Sequence, residues 1–218
     1  MVKAVIFDMD GVISDTQILH ASADVAVLKL YSITFTEDKI NENFAGITDK
    51  EMFENIFSLY GVPGNIKRAI KEKWKIMMAR ANTEITPVPG ALKLINKLKR
   101  ENLTLAVASS SPIIFINAVL SKLNIKGEFK VIVSGEEVLK GKPHPEIFLV
   151  AAKRLKAKPD ECVVIEDSPS GMKATKSAGM KCIGLVGEKK PINPKNNYPA
   201  DLIINDLRKL TLEQIKNL

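Results

Sequence analysis

Asp8 and Asp10 lie two apart in the stretch Lys3 to Asp15, KAVIFDMDGVISD. In an extended segment that spacing puts both side chains on one side of the chain. One carboxylate can attack phosphorus as a nucleophile and form an aspartyl phosphate. The other can give a proton to the leaving oxygen and later take one from water. Asp8 must stay ionised to attack, and a bound cation and a nearby ammonium would lower its pKa. Gly11 lets the backbone turn sharply after the pair. Asp15 adds a third carboxylate. Three carboxylates at the mouth of a buried strand are costly unless a divalent cation and a phosphoryl group offset them.

Three later stretches supply the other parts of such chemistry. Ser109, Ser110 and Ser111 end an apolar run, and the Ser109 hydroxyl can donate to a phosphate oxygen. Lys142, in Lys140-Gly141-Lys142-Pro143, would be a counter-charge on a transferring phosphoryl group. Glu166 and Asp167 offer hard oxygen ligands, which suit Mg2+ better than zinc. Pro112 after Ser111 and Pro169 after Ser168 predict serine-capped helices whose N-termini face an anion. Each stretch alone has a plainer reading: a solvated loop, a turn, an exposed lysine, a helix cap. Their occurrence in order, each at the end of a strand, is the specific signal.

The elements that must hold these residues are legible from periodicity. Ala4 to Phe7 reads as a buried parallel strand. Four antiparallel helices are predicted between residues 16 and 84: about 16–31, 36–44, 49–60, and a fourth carrying Ile66, Ile70, Trp74, Met77 and Ala81. Pro87-Val88-Pro89-Gly90 marks the return. Strands at 103–108, 131–133, 162–165, 182–186 and 202–204 then alternate with helices from Ala91, at 112–123, 145–156 and 169–178, and a closing helix at 211–218. Residues 187–198 read as a loop. Such alternation predicts the α/β class, a Rossmann-like parallel sheet covered on both faces, with its ligand at the carboxyl ends of the strands. The expected domains are a core of residues 1–15 and 85–218 and a small inserted α-helical bundle, a cap, at 16–84.

Bulk properties narrow the function classes. The chain has 218 residues, 45% hydrophobic and 26% charged, enough for a sizeable core and against wholesale disorder. Thirty-two basic against 25 acidic residues give a net charge of +7. The lysines are scattered, with no block of five and no aromatic interleaving, which argues against nucleic acid and suits a small anionic substrate. Cys162 and Cys182 match no metal or disulfide pattern and are expected as buried apolar residues in a reducing compartment. The first residues do not read as a charged leader followed by a signal-length apolar run, and no stretch reaches membrane length, so a cytoplasmic protein is expected, with a monomer as the default.

These stretches resemble the motifs of the haloacid dehalogenase superfamily: DMDGVISDT at 8–16, ASSSP at 108–112, KGKPHPEIF at 140–148 and VIEDSPSGMKATKSAGM at 164–180. The helical insert is similar to the cap of subfamily I, and the chain resembles its β-phosphoglucomutase-like, sugar-phosphate phosphatase branch. The resemblance implies Asp8 as nucleophile and Asp10 as general acid/base. It implies Ser109, Ser110 and Lys142 around the phosphoryl group, and Asp8, the Asp10 carbonyl, Glu166 and Asp167 around Mg2+. A dehalogenase proper would lack the second aspartate. In the cap, His20 occupies the place of a cap-helix histidine, and Phe44 to Thr48, with Gly46 and Thr48, resembles the specificity loop. Lys73 matches a cap lysine of the mutases, or is one more lysine on a lysine-rich helix. The chain departs from true mutases at Asp49, where they carry an arginine for the distal phosphate, and at Pro112 and Ile113.

The implied function is a magnesium-dependent phosphatase acting on a small phosphorylated metabolite, most simply a sugar phosphate. A β-phosphoglucomutase-type isomerase is the alternative. A non-catalytic binding protein on the same scaffold is the third reading, against which the intact set Asp8, Asp10, Ser109, Lys142 and Asp167 argues.

Overall fold

The computed structural model describes residues 1–44, 47–187 and 198–218. Six parallel strands form one sheet: β1 (Ala4–Phe7), β2 (Thr104–Ser109), β3 (Val131–Ser134), β4 (Cys162–Glu166), β5 (Lys181–Leu185) and β6 (Leu202–Ile204). Their order is β3-β2-β1-β4-β5-β6, so the first strand sits at the centre, with β2 and β4 as its neighbours. The chain winds outward on one side of β1 and then on the other. The expected α/β sheet is what forms.

Side-chain alternation explains why the strands read as unbroken apolar runs. Val5 and Phe7 face one core, with Leu105, Val107, Val163 and Ile165. Ala4 and Ile6 face the other, with Ala106, Ala108, Cys162 and Val164. A strand buried on both faces has no polar side to show. Helices α5 (Ala91–Arg100) and α6 (Ile113–Lys122) cover the first face through Leu94, Ile95, Leu98, Phe115, Ile116 and Val119. Helices α7 (Glu146–Leu155) and α8 (Pro169–Ser177) cover the second through Ile147, Phe148, Ala151 and Ala174. A short helix, α9 (Leu212–Lys216), closes the chain. Cys162 and Cys182 are buried free thiols, as expected, and burial pushes them up to about 11 and about 12.

Four helices precede α5: α1 (Gln17–Leu30), α2 (Glu37–Phe44), α3 (Asp49–Leu59) and α4 (Ile66–Glu84). They enclose their own apolar cluster, with Leu28, Ile40, Phe53, Ile56 and Phe57 at its centre. The near ends of α1 and α4 also reach the main core, where Leu19, Ala23, Met77 and Ala81 join the cluster of Phe115. The chain enters and leaves this insert side by side. Asp15 N–H donates to Thr86 O at 2.9 Å and Val88 N–H to Ile13 O at 3.0 Å, so the two crossings form a short antiparallel ribbon. Among the described residues, no helix is long and apolar enough to cross a membrane. The expected loop at 187–198 lies for the most part outside the described residues.

Candidate active site

The carboxyl ends of β2, β1 and β4 lie next to one another, which is why residues far apart in sequence meet. Phe7 pairs with Val107 on one side and Ile165 on the other, and Asp8 N–H donates to Ile165 O at 3.0 Å. Ser109 therefore ends beside Asp10, and Glu166 and Asp167 emerge beside Asp8. Met9, between the two aspartates, turns into the core. A cavity of about 320 Å³ opens there, between the sheet and the insert.

Lys142 is the pivot of the acidic end. Its Nζ lies 2.6 Å from Asp8 Oδ1 and 2.6 Å from Glu166 Oε1, and its ammonium stands 4.9 Å from the centre of the Phe148 ring. The backbone ahead of it is pinned, because Leu139 N–H and Lys140 N–H both donate to the Glu146 carboxylate at 3.1 Å. Glu166 spends its second oxygen on Ser168, accepting from N–H at 2.6 Å and from the hydroxyl at 2.9 Å. Ser168 in turn caps α8 by accepting from Gly171 N–H at 3.1 Å, with Pro169 in the first turn, as the sequence predicts. Asp167 accepts a hydrogen bond from the Gln17 amide.

One carboxylate oxygen from each of Asp8, Glu166 and Asp167 lies within 4.8 Å of the others. One lysine against three clustered carboxylates leaves an excess of negative charge. Burial pushes Asp8 up to about 8, against the pull of Lys142 and with the push of Glu166 and Asp10. Without a cation, desolvation outweighs the ammonium, so the lowering expected for Asp8 requires the bound cation as well. Burial, Glu166 and Asp8 likewise raise Asp167 well above the usual carboxylate range. A divalent cation among these hard oxygens would relieve both, so the donor set fits one. The Asp10 side chain stands outside this group.

Asp10 is held instead by hydroxyls. Its Oδ1 accepts from Thr16 Oγ1 at 2.6 Å and lies 3.3 Å from His20 Nε2. Its Oδ2 accepts from Ser111 Oγ at 2.8 Å and from Ser109 Oγ at 3.2 Å. Burial alone would raise its pKa, but the His20 ring and the hydroxyls of Thr16 and Ser111 hold it down to about 2. These contacts correct one prediction. Ser111 does not cap α6; Pro112 occupies that position, with no side-chain cap, and Ser111 turns to Asp10. Thr16, at the N-terminus of α1, likewise makes no cap hydrogen bond. Ser109 is fully buried, and its hydroxyl also accepts from Ser111 N–H at 3.1 Å. Ser110 is exposed and lines the cavity. Asp15 is exposed and apart from the cluster.

Gly11 suits its position by its backbone conformation, and the side chains beside it would have to shift for a Cβ. Its φ is +84°, and a Cβ there would collide with Asp167 Oδ2 and approach Gln17 Nε2 to 2.7 Å.

From the insert, His20, Thr48 and Lys73 all line the cavity. His20 packs edge-on against Trp74 and Phe115, at 5.6 and 6.1 Å between ring centres. The Thr48 hydroxyl caps α3, accepting from Glu51 N–H at 3.2 Å. Lys73 is no surface lysine: it is 3% exposed and paired with Asp24 and Asp49. Gly46 lies outside the described residues. Sequence reasoning missed Thr16, Gln17, Ser111, Asp24 and Trp74 as members of the site. Only Ser111, inside the serine run, carried a local signal.

The family model for haloacid dehalogenase-like hydrolases matches residues 5–185. The chain belongs to this family. It is 38% identical to a β-phosphoglucomutase of Bacillus subtilis over 223 residues, covering 97% of this chain and 92% of that one. It is 34% identical to a phosphorylated carbohydrates phosphatase of Thermotoga maritima over 184 residues, 83% of each. Its fold is similar to the crystal structure of a β-phosphoglucomutase from Clostridium difficile, with a TM-score of 0.85, 30% identity, and coverage of 100% of this chain and 96% of that one. As a haloacid dehalogenase-like enzyme, it thus has both phosphatase and phosphomutase relatives.

Proposed function

We propose that the chain is a magnesium-dependent phosphatase that hydrolyses a small phosphorylated metabolite, of sugar-phosphate type, through an aspartyl phosphate on Asp8. The observation that carries this reading is the placement of Asp8 at the mouth of the central strand, 2.6 Å from Lys142, with Glu166 and Asp167 beside it. Mg2+ would be held by Asp8, Asp167 and the Asp10 carbonyl, with Glu166 close by, and would supply charge neutralisation for the phosphoryl oxygens. Both oxygens of Glu166 already serve Lys142 and Ser168, so its larger part is to position the lysine.

An Asp8 oxygen attacks phosphorus, and the bond from phosphorus to the ester oxygen breaks. Asp10, protonated at that moment, gives its proton to the departing oxygen. The negative phosphoryl group beside Asp10 opposes ionisation, which offsets the depression that His20 and the hydroxyls impose. Water then attacks phosphorus, Asp10 takes its proton, and the bond from phosphorus to the Asp8 oxygen breaks, releasing inorganic phosphate and the Asp8 carboxylate. Lys142, Ser109 and Ser110 are assigned to the phosphoryl oxygens. For Ser109 this requires its hydroxyl to leave Asp10. The insert, residues 16–84, is assigned as a cap over the core of 1–15 and 85–218, with His20, Thr48 and Lys73 facing the substrate.

Phosphate release from a panel of sugar phosphates, with Mg2+ and with a chelator, tests the reading. Turnover that needs Mg2+ and falls by about 10³-fold or more in Asp8→Asn supports it. Metal-independent turnover, or an active Asp8→Asn protein, refutes it. A mutase is favoured by the similarity to the Bacillus subtilis protein. With β-glucose 1-phosphate and a trace of the 1,6-bisphosphate, glucose 6-phosphate as main product would establish the mutase instead of free phosphate and the phosphatase.

A further inference from the structure

The cavity has two unlike ends. One holds Asp8 and Lys142. The other, under α1, α3 and α4, is built on Lys73. Its Nζ lies 2.6 Å from Asp49 Oδ1, and 2.9 and 3.0 Å from the two oxygens of Asp24. Trp74 Nε1 donates to the other Asp49 oxygen at 2.9 Å. The ammonium is buried between two carboxylates that claim its protons, so it has little left for a ligand. Asp24 Oδ1 is near the ammonium but receives no aligned hydrogen bond, and it is buried.

The charge of this group follows. Burial pushes the Asp24 carboxyl up, while Lys73 and Trp74 hold Asp49 ionised. With Asp24 ionised, two carboxylates outweigh one ammonium; with Asp24 protonated, the group is neutral. In neither state is it positive. Among the described residues that line the cavity, the only other lysine or arginine is Lys142, paired with Asp8, and the His20 ring lies between Asp10 and Trp74. Ile40, Phe44 and Met52, from the apolar cluster of the insert, also line the cavity.

Resting on the phosphatase reading, we infer that the Asp49–Lys73–Asp24 group makes this end of the cavity a subsite for an uncharged, hydroxyl-bearing group, so that the substrate is a monophosphate ester with a neutral far end and bisphosphates are rejected. Carboxylate oxygens there accept from hydroxyls, and the apolar wall meets carbon-bound hydrogens. A second phosphate would meet Asp49 with its only nearby cation already engaged. Asp49 is the residue that sets this preference.

The test compares glucose 6-phosphate with glucose 1,6-bisphosphate, using the full chain with Mg2+. The expected kcat/KM favours the monophosphate by about tenfold or more. Asp49→Asn releases Lys73 and should narrow that ratio by about tenfold, chiefly through a lower KM for the bisphosphate, whereas Asp49→Glu should retain it. A wild-type protein that handles both esters equally, or an Asp49→Asn protein that is folded by thermal melting and keeps the wild-type ratio, overturns the inference. Should neither ester turn over, the phosphatase reading is decided separately, by the panel of sugar phosphates. Calorimetric titration of both esters into the Asp8→Asn protein then still reads the preference: tighter monophosphate binding upholds it, and equal or tighter bisphosphate binding refutes it.

Discussion

Three hydroxyls and an imidazole converge on Asp10, whereas Asp8, two residues away, has a lysine and an excess of carboxylate around it. The two aspartates are thus poised on opposite sides of their ordinary value. Removing a hydroxyl that favours the ionised form of Asp10 raises its pKa. For Ser111→Ala and Thr16→Ala we expect the alkaline limb that Asp10 sets as general acid to move to higher pH, measured as phosphate release across pH. Asp8 yields a second prediction. Between its ordinary value of 3.8 and its value of about 8 here, the metal-free native protein holds a proton that the unfolded chain has released. The stability of the metal-free protein therefore falls as pH rises through that window. A cation must displace that proton, so its affinity and its effect on Tm grow over the same range, by about tenfold in affinity per pH unit for one proton released. Thermal melts with Mg2+ and with chelator at about pH 6 and pH 8 check the sign: the Mg2+ increment should be larger at the higher pH.

Helix starts divide into those that keep their caps and those whose hydroxyls serve the site. Asn65, Thr48 and Ser168 accept from backbone N–H groups at the starts of α4, α3 and α8. Thr16 and Ser111 give their hydroxyls to Asp10 instead. Asn65→Ala should cost about 1 kcal/mol of stability, seen as a lower Tm, while leaving kcat in place. This division marks what could be read from the sequence. The sheet was legible because Ala4 to Phe7 and Cys162 to Ile165 are apolar at every position, which only two-sided burial explains. The site at the strand ends followed from the strand order. The bonding partner of Ser111 was not legible, because a serine before a proline signals a cap locally and Asp10 is 101 positions away. Nor was the burial of Lys73, whose two counter-charges lie 49 and 24 positions away along other helices.

At the scale of the molecule, two bodies of apolar side chains meet along a seam. Phe53 belongs to the cluster of the insert, and Phe115 to the cluster that the insert shares with the sheet. Phe53→Ala should cost about 3–5 kcal/mol. Hydrogen exchange should show that loss first in the amides of α3, with those of β1 and β4 still protected. Equal loss across α3 and the sheet would mean that the two bodies unfold as one. The ribbon formed by Asp15 with Thr86 and Val88 with Ile13 bears on how such a molecule can change over time. Departure and return points are adjacent, so what lies between them resembles a graft on a single stem. Another helical block spliced onto that stem would keep the register of β1, but it would have to replace the Thr16 hydroxyl and the His20 ring at Asp10.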